Sequence, residues 1–592
     1  MTLPNVWRDE RGIAIAVTLL VLLAVTVLLG AATMVGSGAA LVGTYHDRLT
    51  TLESVADAGL EEARSRMNGD VTVYPESGVV VLEDRVQVYS AGGTLIPGIV
   101  RSLYLGPSGV TSGQYGVFGS IVSVVEDTRG NRIVRRSEVF QESFAKYAYF
   151  TDIEGMIYFG GGDQIFGPAH SNDVMKIHST GATFHGAVTT AQTIQDPQYG
   201  TFKQGYQEYV AYIPMPKTAD LTKLQIQGQA GLTALVSTTA GGAGQATTRV
   251  EFVAVDLNGD GLLNGTNEGF IKVYQALAST NAWWVVADTF QYGGSSGQGL
   301  RGSFNCGHVR TGYHDNEFET FPRHGSSGTD SKTTATTTGT RRCYLGGSDI
   351  LNPDSAFLPV DSLGRWLPWP GVVSPLVTAT GRPDAAYLWP ISRELNPSFK
   401  GVIYVDGRVA ISGRLRGQVT VAATDDIVIA DDMTYVTNPA AGTCQDVMGL
   451  FSGNDILVAD NTLNHPFRPY STQSYTTWDE TKDEFVHAVV LALDNFGAVR
   501  HSSGPTNAQS CEGTSWGRGC LYLTGGIIQK ARGAVGTTGG TGYLKRYSYD
   551  QCAYSNPPPY FPTTGHFARG HYYEVDPTGF DVTSYWAQLV AQ

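Results

Sequence analysis

The sequence predicts a mainly β protein carried on one long N-terminal α-helix. Three observations point there. Residues 13–45 contain no charged side chain. Beyond residue 70 the apolar residues come in short runs separated by turn signals, and in the later rung-like blocks each run is ended by Gly or Asp. The 592 residues include 72 Gly and 30 Tyr with only 16% charged side chains, a chain too long for one ordinary core and rich in turn formers.

The opening run, "RDERGIAIAVTLLVLLAVTVLLG", continues uncharged as far as residue 45. As a helix it would rise about 50 Å, well beyond a bilayer core of about 30 Å and far longer than a secretory h-region. No A-x-A-like cleavage site ends it. Instead Ala32, Gly36 and Ala40, and Ala39 with Gly43, repeat small residues four apart, which lets helix backbones approach closely. Leu49, Leu52, Ala56, Leu60, Ala63 and Met67 then recur at three and four, so the helix is expected to reach Met67 with one apolar stripe against a neighbour and Arg48, Glu53, Glu61, Glu62 and Arg64 facing outward. Arg8 and Arg11 on the short N-terminal side orient that end toward the cytoplasm and everything after the helix to the far side.

Residues 69–147 alternate strand-like runs with turn signals, and "DTRGN" around Gly130 reads as a hairpin turn. A small antiparallel head packed on the second half of the helix is the economical arrangement. From Tyr147 short apolar triplets punctuated by glycine appear, and the same texture returns in "GVIYVDGRVAISGRLRGQVTVAATDDIVIADDMTY". Runs eight to ten residues apart, continuously apolar rather than alternating, favour a parallel β-helix over the competing antiparallel sandwich. The expected organisation is a leader over 1–12, the helix over 13–68, the head over 69–147, first rungs over 148–190, a β-rich insertion over 191–399, and main rungs with a C-terminal cap over 400–592. Pro557 to Pro559 cannot join a central strand, so that tail is expected to wrap the end of the rungs.

Chemistry-bearing motifs are few. Formal charge is −14, from 40 basic against 54 acidic residues, and no basic cluster longer than Arg341-Arg342 occurs outside the N-terminus, which argues against nucleic acid. No GxSxG, P-loop or HExxH occurs. In "DLNGDGLLNGTNEG", Asp256, Asn258 and Asp260 stand at positions 1, 3 and 5 of an EF-hand-like loop, with Gly261 at 6, the Leu262 carbonyl at 7 and Asn264 at 9. Position 12 is Asn267 and Glu268 follows it, so the expectation is a Ca2+ clip on a hairpin; the competing reading is an ion-free Asn/Gly/Asp turn. Asp425, Asp426, Asp431 and Asp432 are paired carboxylates near strand ends, which glycoside hydrolysis could use but turns use more often. His170, His178 and His185, and Cys306 with His308, His314 and His324, lack metal-ligand spacing and read as structural. The even count of six cysteines favours disulfides in an oxidising compartment, with Cys511–Cys520 and Cys306–Cys343 as candidate pairs.

The leader ending "RDERG", the run "IAIAVTLLVLL" and the later "ESVADAGLEEARSRM" resemble the N-termini of type IV prepilins, nearest to PilX-type minor pilins. That resemblance implies cleavage by a prepilin peptidase between Gly12 and Ile13, with the apolar helix kept as the polymerising part. Major pilins of the family carry a glutamate at the fifth mature position, where this chain has Val17; an unpaired carboxylate in lipid is costly, so its absence implies a filament tip or priming position. The resemblance further implies other pilins and inner-membrane pilus machinery as partners, an inner-membrane and then cell-surface location, and display of the body for adhesion to a surface or glycan. It also extends, from "YAYFTD" to "YSYDQCAYSNPPPYFP", to a large exported bacterial family with PilX-like N-termini and uncharacterised function. No enzymatic activity is expected. The alternative is a membrane-anchored β-helical enzyme acting on polysaccharide, and a static surface-layer component is a third reading.

Overall fold

The computed structural model describes residues 10–75, 78–108, 116–237, 246–276, 364–382, 384–459, 483–499, 501–502, 519–537 and 540–591. The chain divides into two compact units, one of Met1–Val110, Phe118–Phe140 and Phe567–Gln592, the other of Thr111–Val117 and Gln141–His566.

The first unit is built on helix α1, Glu10–Gly69. Its expected stripe packs as the spacing requires: Leu52, Ala56, Leu60, Ala63 and Met67 are buried, and Leu49 is half-buried. They face a five-stranded sheet ordered β1 (Val80–Tyr89), β2 (Leu95–Pro107), β3 (Phe118–Asp127), β4 (Arg132–Ser143) and the C-terminal strand Thr563–Val575. Strands β1 to β4 pair antiparallel, and β3 turns into β4 through Gly130, whose positive φ of 87° suits a residue without Cβ. Both faces of the sheet are covered. Val88, Ile99 and Val125 pack with Leu52, Val55 and Ala56 of α1, while Val122, Val124 and Val134 pack with Trp586 of the C-terminal helix Val582–Ala591.

The polar residues of α1 do not simply face water. Arg48 pairs with Asp127 (2.6 Å), Glu53 with Arg135 (3.1 Å), Glu61 with Arg64 and Arg569, and Glu62 with Arg66 and Arg101. Arg101 also pairs with Glu83 at 2.8 Å, both side chains almost wholly buried. The α1 side chains keep substantial exposure, as an outward face should, and long side chains from β2, β3, β4 and the C-terminal strand reach them there.

The second unit is dominated by parallel pairing. Val402 faces Thr420, Gln418 faces Val447, Gly449 faces Val489 and Val489 faces Gly526, so successive coils lay one strand on the next. The following coil is composite. Ile527 to Gln529 pair with Tyr149 to Thr151, while Cys520 to Gly525 pair with Leu544 to Tyr549. Beyond it Tyr149 faces Ala169, Ala169 faces Val188 and Val188 faces Tyr206. The two rung-like blocks of the sequence therefore form one ladder whose winding order is not the chain order. Strands inside 191–399 belong to it as well: Ala234–Val236 pairs in parallel with Val402–Asp406, and Thr248–Ala254 with Val409–Leu415. The interior is a stack of aliphatic and aromatic side chains, including Ile403, Val421, Leu450, Val490 and Ile527. Stacked apolar rows of this kind need no alternation, because both faces of most strands are buried.

The tail lies elsewhere than at an end of the rungs. Pro559 sits against Gly401, and Pro558 and Phe561 against Gly449, so the segment crosses the side of three successive coils. A disulfide joins Cys444 to Cys552 there, with Cα atoms 5.0 Å apart. Cys520 is also disulfide-bonded, while Cys306, Cys343 and Cys511 lie outside the described residues.

Candidate functional site

The apolar half of α1 is the feature with the clearest physical consequence. Residues 13–45 are exposed throughout, and this is the one described helix long and apolar enough to cross a membrane. Its serine and threonine hydroxyl groups are satisfied within the helix: Thr18 donates to the Ala14 carbonyl (2.6 Å), Thr26 to Leu22 (2.7 Å), Thr33 to Leu29 (2.9 Å), Ser37 to Met34 (3.0 Å) and Thr44 to Leu41 (2.9 Å). No donor on these side chains needs water, which is what hydrocarbon surroundings demand. Gly12 and Ile13 both lie within the helix, as does Val17, which is 52% exposed. Of the small residues, Gly36 and Gly43 have nothing within 4 Å of where a Cβ would be. The other half is held tightly. A Cβ on Gly59 would lie 2.8 Å from Arg101, Leu103 and Ser123, so α1 meets the sheet at the only distance a glycine allows.

The Asp256 loop connects the antiparallel strands Thr248–Ala254 and Gly269–Ala276, the expected strand-loop-strand setting. Asp256 accepts from the N–H groups of Gly259 and Gly261 (both 2.7 Å), Asn258 from Asp260 (2.8 Å) and Asp260 from Leu262 (2.7 Å). The Leu262 N–H bond, with the Asn258 and Asn264 amides, outweighs burial and holds the Asp260 carboxyl below its usual range. Glu268 is turned inward: buried, it accepts from the N–H groups of Gly265 (2.7 Å) and Leu257 (3.3 Å) and so ties the base of the loop. Arg416, itself buried, donates to the carbonyls of Asn264 (2.6 Å) and Gly265 (2.9 Å). Sequence spacing placed the first five donors in one turn but gave no sign of Arg416, which is 152 residues from Asn264 along the chain.

Among the described residues the remaining candidates are engaged in contacts within the fold. Asp426 is buried, pairs with Arg408 (2.8 Å) and accepts from Asn454 (2.7 Å) on the next coil. Asp425 lies 3.8 Å from the same Arg408, and Asp432 accepts from the Phe485 N–H (2.8 Å). His170 is buried between Thr189 (2.8 Å) and Asn172 (3.0 Å) and stacks on Phe150; burial pushes its pKa down. His178 binds Thr180 and His185 stacks on Phe166. His308, His314 and His324 fall outside the described residues.

No protein-family model matches this chain, and no curated protein does. Among solved structures it is similar to the competence-associated pilin ComZ from Thermus thermophilus, at 11% identity over 89% of this chain and 97% of that one, with a TM-score of 0.23. At that score the likeness carries no weight beside the chain's own geometry.

Proposed function

We propose that the protein is a minor pilin or pilus-assembly subunit that docks by α1 into a type IV pilus-like filament, at a priming or tip position, and displays its body for adhesion or stability. The observation that supports this is one uninterrupted helix with two opposed environments. Its second half is packed into a sheet and fenced by ion pairs, while 13–45 are exposed throughout among the described residues. A rod of that kind has two natural surroundings, lipid and the rods of sibling subunits. The partners are then other pilins, the inner-membrane machinery and a prepilin peptidase, with the body across the inner membrane before assembly and at the cell surface after it. Mass spectrometry of the mature chain tests the reading: the expected N-terminus is Ile13, and a mature chain that has lost residues 13–45 sinks it.

We also propose that the Asp256 loop binds Ca2+ through Asp256, Asn258, Asp260, the Leu262 carbonyl and Asn264, with Glu268 supporting the loop from beneath. Its carboxylates keep lone pairs beyond those given to N–H groups. Chelation of the purified protein should lower the melting temperature of the second unit, and an unchanged melt removes the metal from the account.

A further inference from the structure

Strands β1 and β2 project beyond the rest of their sheet, and the projecting tip is uncharged. β2 pairs with β3 only as far as Ile99, opposite Asp127, and its first residues, 95–98, run on past it. Residues 86–100 hold no charged side chain. Residues 89–95 are exposed without a break, as are Pro97 and Gly98. Tyr89 and Leu95 stand opposite each other at the tip, 58% and 41% exposed. An exposed apolar patch of this kind marks a contact surface.

Contacts with α1 set the direction in which the tip points. Gly59 lies against Arg101 and Leu103, Arg101 pairs with Glu62, and the Gly98 carbonyl accepts from Arg48 (3.5 Å). Going back along β2 is therefore going back along α1, toward its apolar half. From Gly98 to Leu95 the strand covers about 10 Å, the rise of about seven helical residues. Leu95 thus stands level with Leu41 and Val42, inside the exposed stretch of α1.

That height matches a lipid surface. From Ile13 to Val42 a helix rises about 44 Å, and a bilayer with its headgroup layers is about 40–45 Å thick. With Ile13 at the inner surface, Leu41, Leu95 and Tyr89 reach the outer headgroup layer together. A tyrosine suits that layer, its ring against acyl chains and its hydroxyl among headgroups. Tyr45 of α1, also 58% exposed, lies about one helical turn further out. The tip asks little of water for its backbone: the Ser90 N–H donates to the Thr94 carbonyl (2.8 Å), the Gly93 N–H to the Ser90 carbonyl (2.9 Å) and the Thr94 N–H to the Ser90 hydroxyl (3.2 Å). Charge returns only at its base, where Arg129 is exposed in the turn whose Thr128 N–H donates to the Gly98 carbonyl (3.0 Å).

We propose that the β1–β2 tip, residues 89–97, lies in the headgroup layer of the bilayer on the exported side and ties the head to lipid beside α1. The inference rests on the membrane-spanning reading of α1 above. Lipid is favoured over a protein partner because the tip presents no charge and continues the apolar surface of the rod. Rod and tip together then fix the rotation of the head about α1 before assembly.

The test uses the full chain in nanodiscs of phosphatidylethanolamine and phosphatidylglycerol, with a benzophenone side chain placed singly at Leu95, Thr94, Val27 or Asp84. Lipid adducts are counted by mass spectrometry after irradiation. Asp84, exposed further up β1, is the water-side control. Adducts at Leu95 and Thr94 should exceed those at Asp84 several-fold, with strong labelling at Val27. Tyr89→Glu with Leu95→Glu alters exposed positions only, and should cut the Thr94 adducts several-fold while Val27 keeps its own. Leu95 and Thr94 no higher than Asp84, or Thr94 adducts unchanged in the double variant, overturn the tip contact and leave the membrane helix standing. Leu95 crosslinked to protein in place of lipid in native membranes also overturns it. Loss of adducts at Val27 overturns both readings.

Discussion

Gly59 is the point where the head is least tolerant of change. With Arg101, Leu103 and Ser123 at 2.8 Å from a notional Cβ, Gly59→Val should force α1 off the sheet and cost about 1–3 kcal/mol, read as a lower denaturation midpoint of the first unit. Asp127 supplies a pH dependence. Burial alone would raise its carboxyl, but the Arg48 guanidinium and the N–H donors of Asn131 and Arg129 outweigh it and hold the group well below the usual carboxylate range. A depressed folded pKa means that its stabilisation is complete above the unfolded value of about 3.9 and is lost as pH falls through the folded one. Denaturation midpoints should therefore drop below about pH 4, and more steeply in the native protein than in Asp127→Asn. Sequence reading reached the stripe of α1 at this scale because a period near 3.6 is a local signal. It could not reach the ion pairs, since Arg101 and Asp127 are strand residues with nothing nearby in sequence to mark their partners.

Among elements, the C-terminal strand and helix matter most to the head. Trp586 packs on Val122, Val124 and Val134, and donates to the Pro107 carbonyl at 2.9 Å. Trp586→Ala should cost about 3–5 kcal/mol and speed amide exchange along β2 and β3, while a chain with unchanged exchange there would refute the packing role. Strand-like runs over 69–147 were legible from turn residues and apolar runs. That Thr563–Val575 completes the same sheet was not, because "HFARGHYYEV" reads equally well as the border of any sheet. The Asp256 loop shows the same division. Its donors follow a local rule, whereas Arg416, which fastens it, is placed by the coil after Val409–Leu415.

For the whole molecule, the composite coil is the decisive feature. The join is held by buried charge: Arg532 meets Glu154 at 3.0 Å and lies 3.7 Å over the Phe159 ring, and Lys545 meets Asp163 at 3.1 Å. Burial pushes the Glu154 carboxyl up against the pull of Arg532. Arg532→Met leaves that buried carboxylate without its cation, with the Tyr149 hydroxyl still donating to it at 3.0 Å, and should cost about 3–5 kcal/mol, measured as a lower melting temperature of the second unit. Glu154→Gln with Arg532→Met should recover part of the loss, since the stranded charge is gone. Nothing in "YAYFTDIEG" or "IIQKARGAVG" marks them as neighbours, so spacing revealed coils and not their order.

The strand that opens the second unit, Tyr149–Ile153, lies inside the pile, with Cys520–Ala531 on one side and Ala169–Ser171 on the other. Just before it Gln141 accepts from Thr563 and the Phe144 N–H donates to Pro562, so entry and exit of the chain are adjacent and mid-pile. On one side the ladder runs out to Tyr206–Gln207, and on the other it continues past Thr248–Ala254 to Gly269–Ala276, which pairs with Gly364–Leu367 and Trp389–Pro390. Descendants of this gene could add or discard turns beyond Tyr206–Gln207 and leave both pairings of Tyr149–Ile153 intact.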